Sequence, residues 1–418
     1  MDILNQLLSK NATEIIQRIL LYLDFKSLHD ARTVCKKWNE IVCDLIWDTK
    51  KGRGVLKRER TRRWTTTTPE LIKYDFFDQM FVFNQNGFAV DERVLVCCLS
   101  HVGEGGAKVI DVESRTITAH LDHRIESNNY RKLPVIEVAL TKNWIVTYSG
   151  NSDISILYVW RRDNFKLDRD IVVCQGGPSW MQLNVHLSAT EAKEHLFISC
   201  RVGIDDSDPW LGFYNLYRMS QSVRQVRMKT FTNSCHSTIL TEELLVVIES
   251  NKKTISTFNL EVSELEMFKI HTSKDFEVVE RINFDGNDRI CYRYPFSISL
   301  PYIVFSTKPV VTIWNIFTGE LVKNLRFDPV RDGTPGAWDS VVLRKGILVV
   351  KMQADEEDDR NVKFYIYDAN RKDSEYSSYF PNNQIHRRYE DDTVVRFRIN
   401  NFSIIESFED TFVFIDFF

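Results

Sequence analysis

The sequence has no long apolar run. Its longest uninterrupted stretch, Val94 to Leu99, is six residues, where a membrane helix needs about 20. The opening MDILNQLLSK has neither a basic region nor a small-residue cleavage site, so no secretory signal is expected. Cysteine is sparse and unpatterned: eight are spread over 418 residues, and no C-x-x-C occurs. That excludes a disulfide framework, a zinc ribbon and a thioredoxin-type site. A reducing compartment, cytoplasm or nucleus, is the expected setting. The sequons Asn11-Ala12-Thr13 and Asn401-Phe402-Ser403 are then chance matches.

Catalytic signatures are missing as well. There is no H-E-x-x-H, no G-x-S-x-G and no complete G-x-x-x-x-G-K-[ST]. Gly103-Glu104-Gly105-Gly106-Ala107-Lys108 lacks the Ser/Thr after Lys and no helix follows, so it reads as a hairpin turn. The nine histidines are scattered, with His120 and His123 the one close pair. No catalytic residue, metal site or cofactor is expected.

What is present is an ordinary globular composition, 43% apolar and 27% charged, on a chain long enough for two to three domains. The net charge of −4 is unevenly spread: residues 1–64 carry 14 Lys+Arg against 8 Asp+Glu, and the rest carry 40 against 50. The basic excess sits in residues 50–63, a linker that is either a solvated connection or a nucleic-acid or import patch. The acidic remainder makes broad phosphate-backbone binding a poor fit, and neither membrane nor nucleic acid is expected as a partner.

Two periodicities divide the chain. In residues 1–49, Ile15, Ile16, Ile19, Leu20 and Leu23 form an amphipathic helical stripe. Leu28, Ala31, Val34, Cys35, Trp38, Ile41 and Val42 give a second helical run. From about residue 76 the period becomes two, with short β-rich runs bounded by Gly, Asn, Asp, Ser and Pro. One unit recurs: an apolar strand, a turn, then a strand ending in an apolar or aromatic residue followed by a polar one. The polar marks are Asp111, Arg161, Asn215, Asn259, Asn315, Asp368 and Asp416, at gaps of 50, 54, 44, 56, 53 and 48 residues. Seven four-strand units of nearly constant length predict an all-β, seven-bladed propeller over 64–418. Units one to six carry a further strand after the mark and the seventh does not. The strand-like segment 64–77 is therefore expected to supply the outer strand of the last unit and close the ring. The polar marks are expected to bond turns rather than to catalyse.

Ile313-Trp314-Asn315-Ile316-Phe317-Thr318-Gly319-Glu320-Leu321-Val322 resembles the end of a WD repeat, whose Trp-Asp is followed by a Thr-Gly turn. The double glycines Gly105-Gly106 and Gly176-Gly177 are too few for kelch repeats. The head resembles an F-box: Thr13 to Asp24, then Leu28, then Val34-Cys35-Lys36-Lys37-Trp38-Asn39-Glu40-Ile41 follow that family's spacing. It departs at Asn11-Ala12, where the family has Leu-Pro. The resemblance implies a small all-α domain that docks on the Skp-type adaptor of a cullin-RING ubiquitin ligase, while the propeller holds the protein to be ubiquitinated. The expected adaptor contacts are Ile15, Ile16, Ile19, Leu20, Leu23, Leu28 and Trp38, some of which must form the head's own core. For the target, Arg and aromatic residues in the loops of one propeller face are the candidates: Trp180, Arg289, Tyr292, Arg293, Trp338 and Arg387. The expected role is a non-catalytic substrate receptor of a ubiquitin ligase. The alternative is a propeller scaffold whose head binds something else.

Overall fold

A computed structural model describes residues 13–20, 22–23, 25–32, 34, 38–42 and 45 of the head. In the body it describes 70–75, 87–99, 106–123, 135–150, 154–175, 184–192, 195–204, 207–217, 223–227, 235–241, 244–249, 254–260, 268–271, 296–307, 310–318, 320–326, 340–354, 361–369, 377–379, 397–400, 403–407 and 411–416. The chain divides into two compact units, Met1–Glu70 with Asp416–Phe418, and Leu71–Ile415. No helix among the described residues is long and apolar enough to cross a membrane.

In the head, α1 (Thr13–Leu20) carries Glu14 in its first turn and Arg18 in its last. Both charges complement the helix dipole. Ile16 and Leu20, four residues apart, are buried, so one face of α1 is core. After α1, Tyr22 N–H donates to Ile19 O at 3.1 Å and Leu23 N–H to Leu20 O at 3.0 Å, a tightened exit turn. Next comes α2 (Phe25–Arg32), with Leu28 and Ala31 buried. The second helical run is not continuous. It breaks after Arg32, where Val34 N–H donates to Ala31 O at 3.3 Å, and helix resumes at 38–42 and 45. Trp38, Ile41, Val42 and Leu45 are buried beyond the break.

Among the described residues, the body's first strand is β1 (Glu70–Asp75), and 27 further strands follow. The first sheet is β2 (Phe88–Val90), β3 (Val94–Leu99), β4 (Gly106–Asp111) and β5 (Ile117–Asp122). The second is β6 (Val135–Leu140), β7 (Trp144–Gly150), β8 (Ile154–Arg161) and β9 (Leu167–Gln175). The third is β10 (Asn184–Ala192), β11 (His195–Ile204), β12 (Ser207–Tyr217) and β13 (Val223–Arg227). The fourth is β14 (Cys235–Leu240), β15 (Leu244–Glu249), β16 (Thr254–Leu260) and β17 (Phe268–His271). The fifth is β18 (Phe296–Ser299), β19 (Tyr302–Thr307), β20 (Val310–Asn315) and β21 (Leu321–Arg326). The sixth is β22 (Ser340–Arg344), β23 (Ile347–Ala354), β24 (Asn361–Asp368) and β25 (Ser377–Tyr379). The seventh comprises β26 (Phe397–Ile399), β27 (Ser403–Ser407) and β28 (Thr411–Asp416), with β1 hydrogen-bonded outside β28. The last sheet is thus built from both ends of the body, and its outer strand comes from the beginning. A further contact joins its innermost strand β26 to β2 of the first sheet.

Both faces of the first and second sheets are buried, and neighbouring residues on a strand serve opposite neighbours. Leu95 and Cys97 pack with Ile405, Phe412 and Phe414 of the seventh sheet. The residues between and after them, Val96 and Cys98, pack with Ile145, Ile156, Tyr158 and Trp160 of the second. This is why Val94–Leu99 is continuously apolar rather than alternating. The second sheet repeats the logic: Ile156, Tyr158 and Trp160 face the first sheet, while Leu157 and Val159 face Leu196, Ile198 and Cys200 of the third. Phe88 and Phe412 meet edge to face at 5.4 Å, sealing the seam between first and last sheets.

Three of the units, the first, second and fifth, also share one turn. Asp111 N–H donates to Thr116 O, Arg161 N–H to Lys166 O and Asn315 N–H to Glu320 O, each at 2.9 Å. A β-bulge follows at the same place in each unit, at Val109/Ile110, Val159/Trp160 and Ile313/Trp314. The turn needs a left-handed residue at its fourth position after the start. Arg115 (φ 57°) and Phe165 (φ 56°) take it there, and Gly319 holds the same sequence position in the fifth unit. The polar marks bond these turns: Asp111 Oδ1 accepts from Glu113 N and Ser114 N (3.1 and 2.7 Å), Asn315 Oδ1 from Phe317 N and Thr318 N (2.9 and 3.2 Å).

Candidate functional site

Two regions of the described structure bear on function: the outer surface of the head, and one side of the body where turns from different sheets meet.

On the head, the seven expected adaptor contacts separate into two sets. Ile16, Leu20, Leu28 and Trp38 are buried within the chain. Ile15, Ile19 and Leu23 are exposed, by 51%, 40% and 36%. Ile15 and Ile19 are one helical turn apart and lead to Leu23, so they form a single stripe beside the buried one. Two residues outside the expected set are also exposed: Tyr22, by 91%, in the exit turn of α1, and Val34, by 42%, beyond α2. Tyr22 falls in the exit turn where helical periodicity stops, and Val34 falls within an apolar spacing that reads as one continuous helix. Five large side chains within 20 residues are thus exposed, and exposed apolar surface is what interaction sites carry.

On the body, Asp91 Oδ1 closes its own turn by accepting from Arg93 N and Val94 N at 2.8 and 3.0 Å. It also receives Arg162 Nη2 of the second sheet at 2.8 Å, while Arg162 Nη1 pairs with Asp91 Oδ2 and donates to Thr141 O at 2.8 Å. Glu191 of the third sheet accepts from Asn143 N (2.7 Å), Asn143 Nδ2 (2.6 Å) and the Thr141 hydroxyl. Ser188 Oγ accepts from Leu240 N at 2.9 Å, joining the third and fourth sheets. Ser297 and Ser299 Oγ accept from Leu343 N and Lys345 N at 2.9 and 2.8 Å, joining the fifth and sixth. Arg344 of the sixth sheet donates to Val90 O, Ile399 O and Glu92 Oε1 at 2.9, 3.2 and 2.9 Å. These polar groups are occupied in holding sheets together.

His123, one of the close histidine pair, is also structural. His123 is buried; its Nδ1 lies 3.0 Å from Leu121 O and its Nε2 2.7 Å from Thr147 Oγ1, which in turn accepts from Trp160 Nε1 at 3.0 Å. The consistent assignment has His123 neutral, with Nδ1–H donating to the carbonyl and the Thr147 hydroxyl donating to Nε2. Burial pushes its pKa down to about 3. Cys97, Cys98 and Cys200 are buried free thiols, and burial raises all three, which suppresses thiolate chemistry. Among the described residues no group of three or more His, Cys, Asp or Glu is placed to hold a metal ion. The candidate target-binding residues Trp180, Arg289, Tyr292, Arg293, Trp338 and Arg387, and the basic segment 50–63, lie outside the described residues.

Residues 13–50 match the F-box-like family. No curated protein matches the chain. Among solved structures, the chain is similar to the WD40 domain of SCAP from fission yeast, at 9% identity over 84% of this chain and 88% of that one, with a TM-score of 0.46. It is similar to Hsv2p of Kluyveromyces lactis at 9% identity, covering 78% and 90% of the two chains with a TM-score of 0.41. It is also similar to BamB from Moraxella catarrhalis at 8% identity, covering 84% and 99% with a TM-score of 0.40. Sheet order and connectivity carry the fold assignment. The chain therefore joins an F-box-like domain at residues 13–50 to a body of antiparallel sheets resembling WD40 propellers.

Proposed function

We propose that this protein is the substrate-recognition subunit of a Skp-cullin-F-box ubiquitin ligase. Its head binds a Skp-type adaptor, and through it a cullin; its body holds the target protein. The observation that carries this reading is the stripe formed by Ile15 and Ile19 on a helix of the F-box-like segment and Leu23 in its exit turn, exposed although the same helix has a separate buried face. Burial of such a stripe in an apolar groove is the usual mode of helix docking. In this reading the subunit is non-catalytic and works in the cytoplasm or nucleus. Its body is a platform whose one described side is tied up by inter-sheet bonds, leaving target contact to loops such as those of Trp180, Arg289, Tyr292, Arg293, Trp338 and Arg387.

The test is reconstitution with adaptor and cullin. Wild-type full-length protein is expected to co-elute with both, and the double variant Ile15→Asp/Ile19→Asp to elute alone with an unchanged circular dichroism spectrum. A wild type that never joins the adaptor removes the ligase reading and leaves the scaffold one.

A further inference from the structure

The exit turn of α1 carries one group that chemistry can change. Tyr22 is 91% exposed. Tyr148, Tyr158, Tyr365 and Tyr367 are buried, and Tyr302 is half-buried. Tyr22 sits in the short turn that follows α1, between Ile19 and Leu23, with its backbone pinned by the Tyr22 N–H to Ile19 O bond of 3.1 Å. Its phenol is therefore open to an enzyme, in the turn between Ile19 and Leu23, whose exposed side chains need an apolar cover.

We propose that Tyr22 is a phosphorylation site that controls adaptor docking; this rests on the reading of the head as an adaptor-binding domain. A protein tyrosine kinase transfers the γ-phosphoryl group of ATP to Tyr22 Oη: the new O–P bond forms as the bond to ADP breaks, and the phenolic proton leaves to solvent. The product carries close to two negative charges at neutral pH in the turn between Ile19 and Leu23. Docking then demands that a phosphate be stripped of water against apolar groups, and the complex is lost. The converse also holds. Once the adaptor covers the stripe, Tyr22 is shielded, so kinase and adaptor compete for the free head.

The experiment uses the full chain with phosphotyrosine installed at position 22 by codon suppression, titrated against a Skp-type adaptor. Unmodified protein and Tyr22→Phe are expected to bind within about threefold of each other. The phosphorylated protein is expected to bind at least ~100-fold more weakly, and phosphatase treatment to restore affinity. With a broad-specificity tyrosine kinase domain and Mg-ATP, Tyr22 of the free protein is expected to be modified, and Tyr22 of the adaptor complex spared. Phosphorylated protein that binds within about threefold of the unmodified form overturns the proposal and leaves the adaptor reading standing. So does a free protein that the kinase labels elsewhere but not at Tyr22. Unmodified protein that does not bind the adaptor overturns the adaptor reading itself, and this proposal with it.

Discussion

Arg344 Nη2 donates to Glu92 Oε1 at 2.9 Å, although the two residues are 252 positions apart. Lys345 Nζ reaches the same oxygen at 2.6 Å, and Arg344 Nη1 donates to Val90 O and Ile399 O. One guanidinium thus joins the sixth, seventh and first sheets where the body closes on itself. Removing it leaves a half-buried carboxylate and two carbonyls short of a donor. Arg344→Ala is expected to lower stability by about 2–3 kcal/mol, and Arg344→Lys by less. Urea unfolding of the three proteins checks this.

The same cluster sets an acid limit. Burial raises the Glu92 pKa, but the charges of Arg344 and Lys345 outweigh it and hold the carboxyl at about 2. The folded value is below the unfolded one, so the stabilisation is present above about pH 4.5 and is lost as pH falls toward 2. The contribution is about 3 kcal/mol. Glu92→Gln is expected to flatten the stability-pH curve between pH 4.5 and 2 relative to wild type. Parallel acid limbs in the two proteins would contradict this.

His123 acts in the same direction at milder pH. With a folded pKa of about 3 against an ordinary 6.5, it must stay neutral to keep its bonds to Leu121 O and Thr147 Oγ1. Its contribution is complete above pH 6.5 and is lost as pH falls from there toward 3. Between pH 6.5 and 5 the loss is about 2 kcal/mol. His123→Gln is expected to be less stable at pH 7.5 and to show a shallower fall over that interval. Thermal melts at several pH values resolve the two effects.

Gly346 has φ 83° and follows Lys345 at φ 49° in the two-residue turn between β22 and β23. Both lie in the left-handed region, which suits a tight hairpin. Gly346→Ala places a Cβ where the backbone disfavours it and is expected to destabilise by about 1–2 kcal/mol. A midpoint of unfolding equal to wild type would show that the turn relaxes without cost.

The head makes a paired prediction. Ile16→Ala is expected to cost about 2–4 kcal/mol through a cavity in its core, and Ile15→Ala to stay within about 0.5 kcal/mol. Amide exchange of residues 13–32 distinguishes them, rising for the first variant and unchanged for the second.

How much of this the sequence disclosed depended on whether the cause was local. Strand positions were legible because paired turns and apolar runs are local patterns, and units such as Trp144–Trp160 fall where the repeat puts them. The identity of the head's core was not. Ile15 and Ile16 are adjacent and chemically alike, and α1 is apolar on two faces, so periodicity cannot say which face water keeps. The break at Val34 was missed because an apolar spacing continues across it while the backbone does not. Arg344–Glu92 and His123–Thr147–Trp160 were invisible for another reason: their partners converge only once sheets far apart in sequence are side by side.

Calorimetric titration of a Skp-type adaptor into the full chain tests docking through the exposed stripe of the head most directly. The wild type and Ile16→Val are expected to bind with the same stoichiometry of one and similar affinity. Ile15→Asp and Ile19→Asp, each shown to be folded, are expected to bind at least ~100-fold more weakly. Equal binding by all four proteins, or none by the wild type, would contradict it.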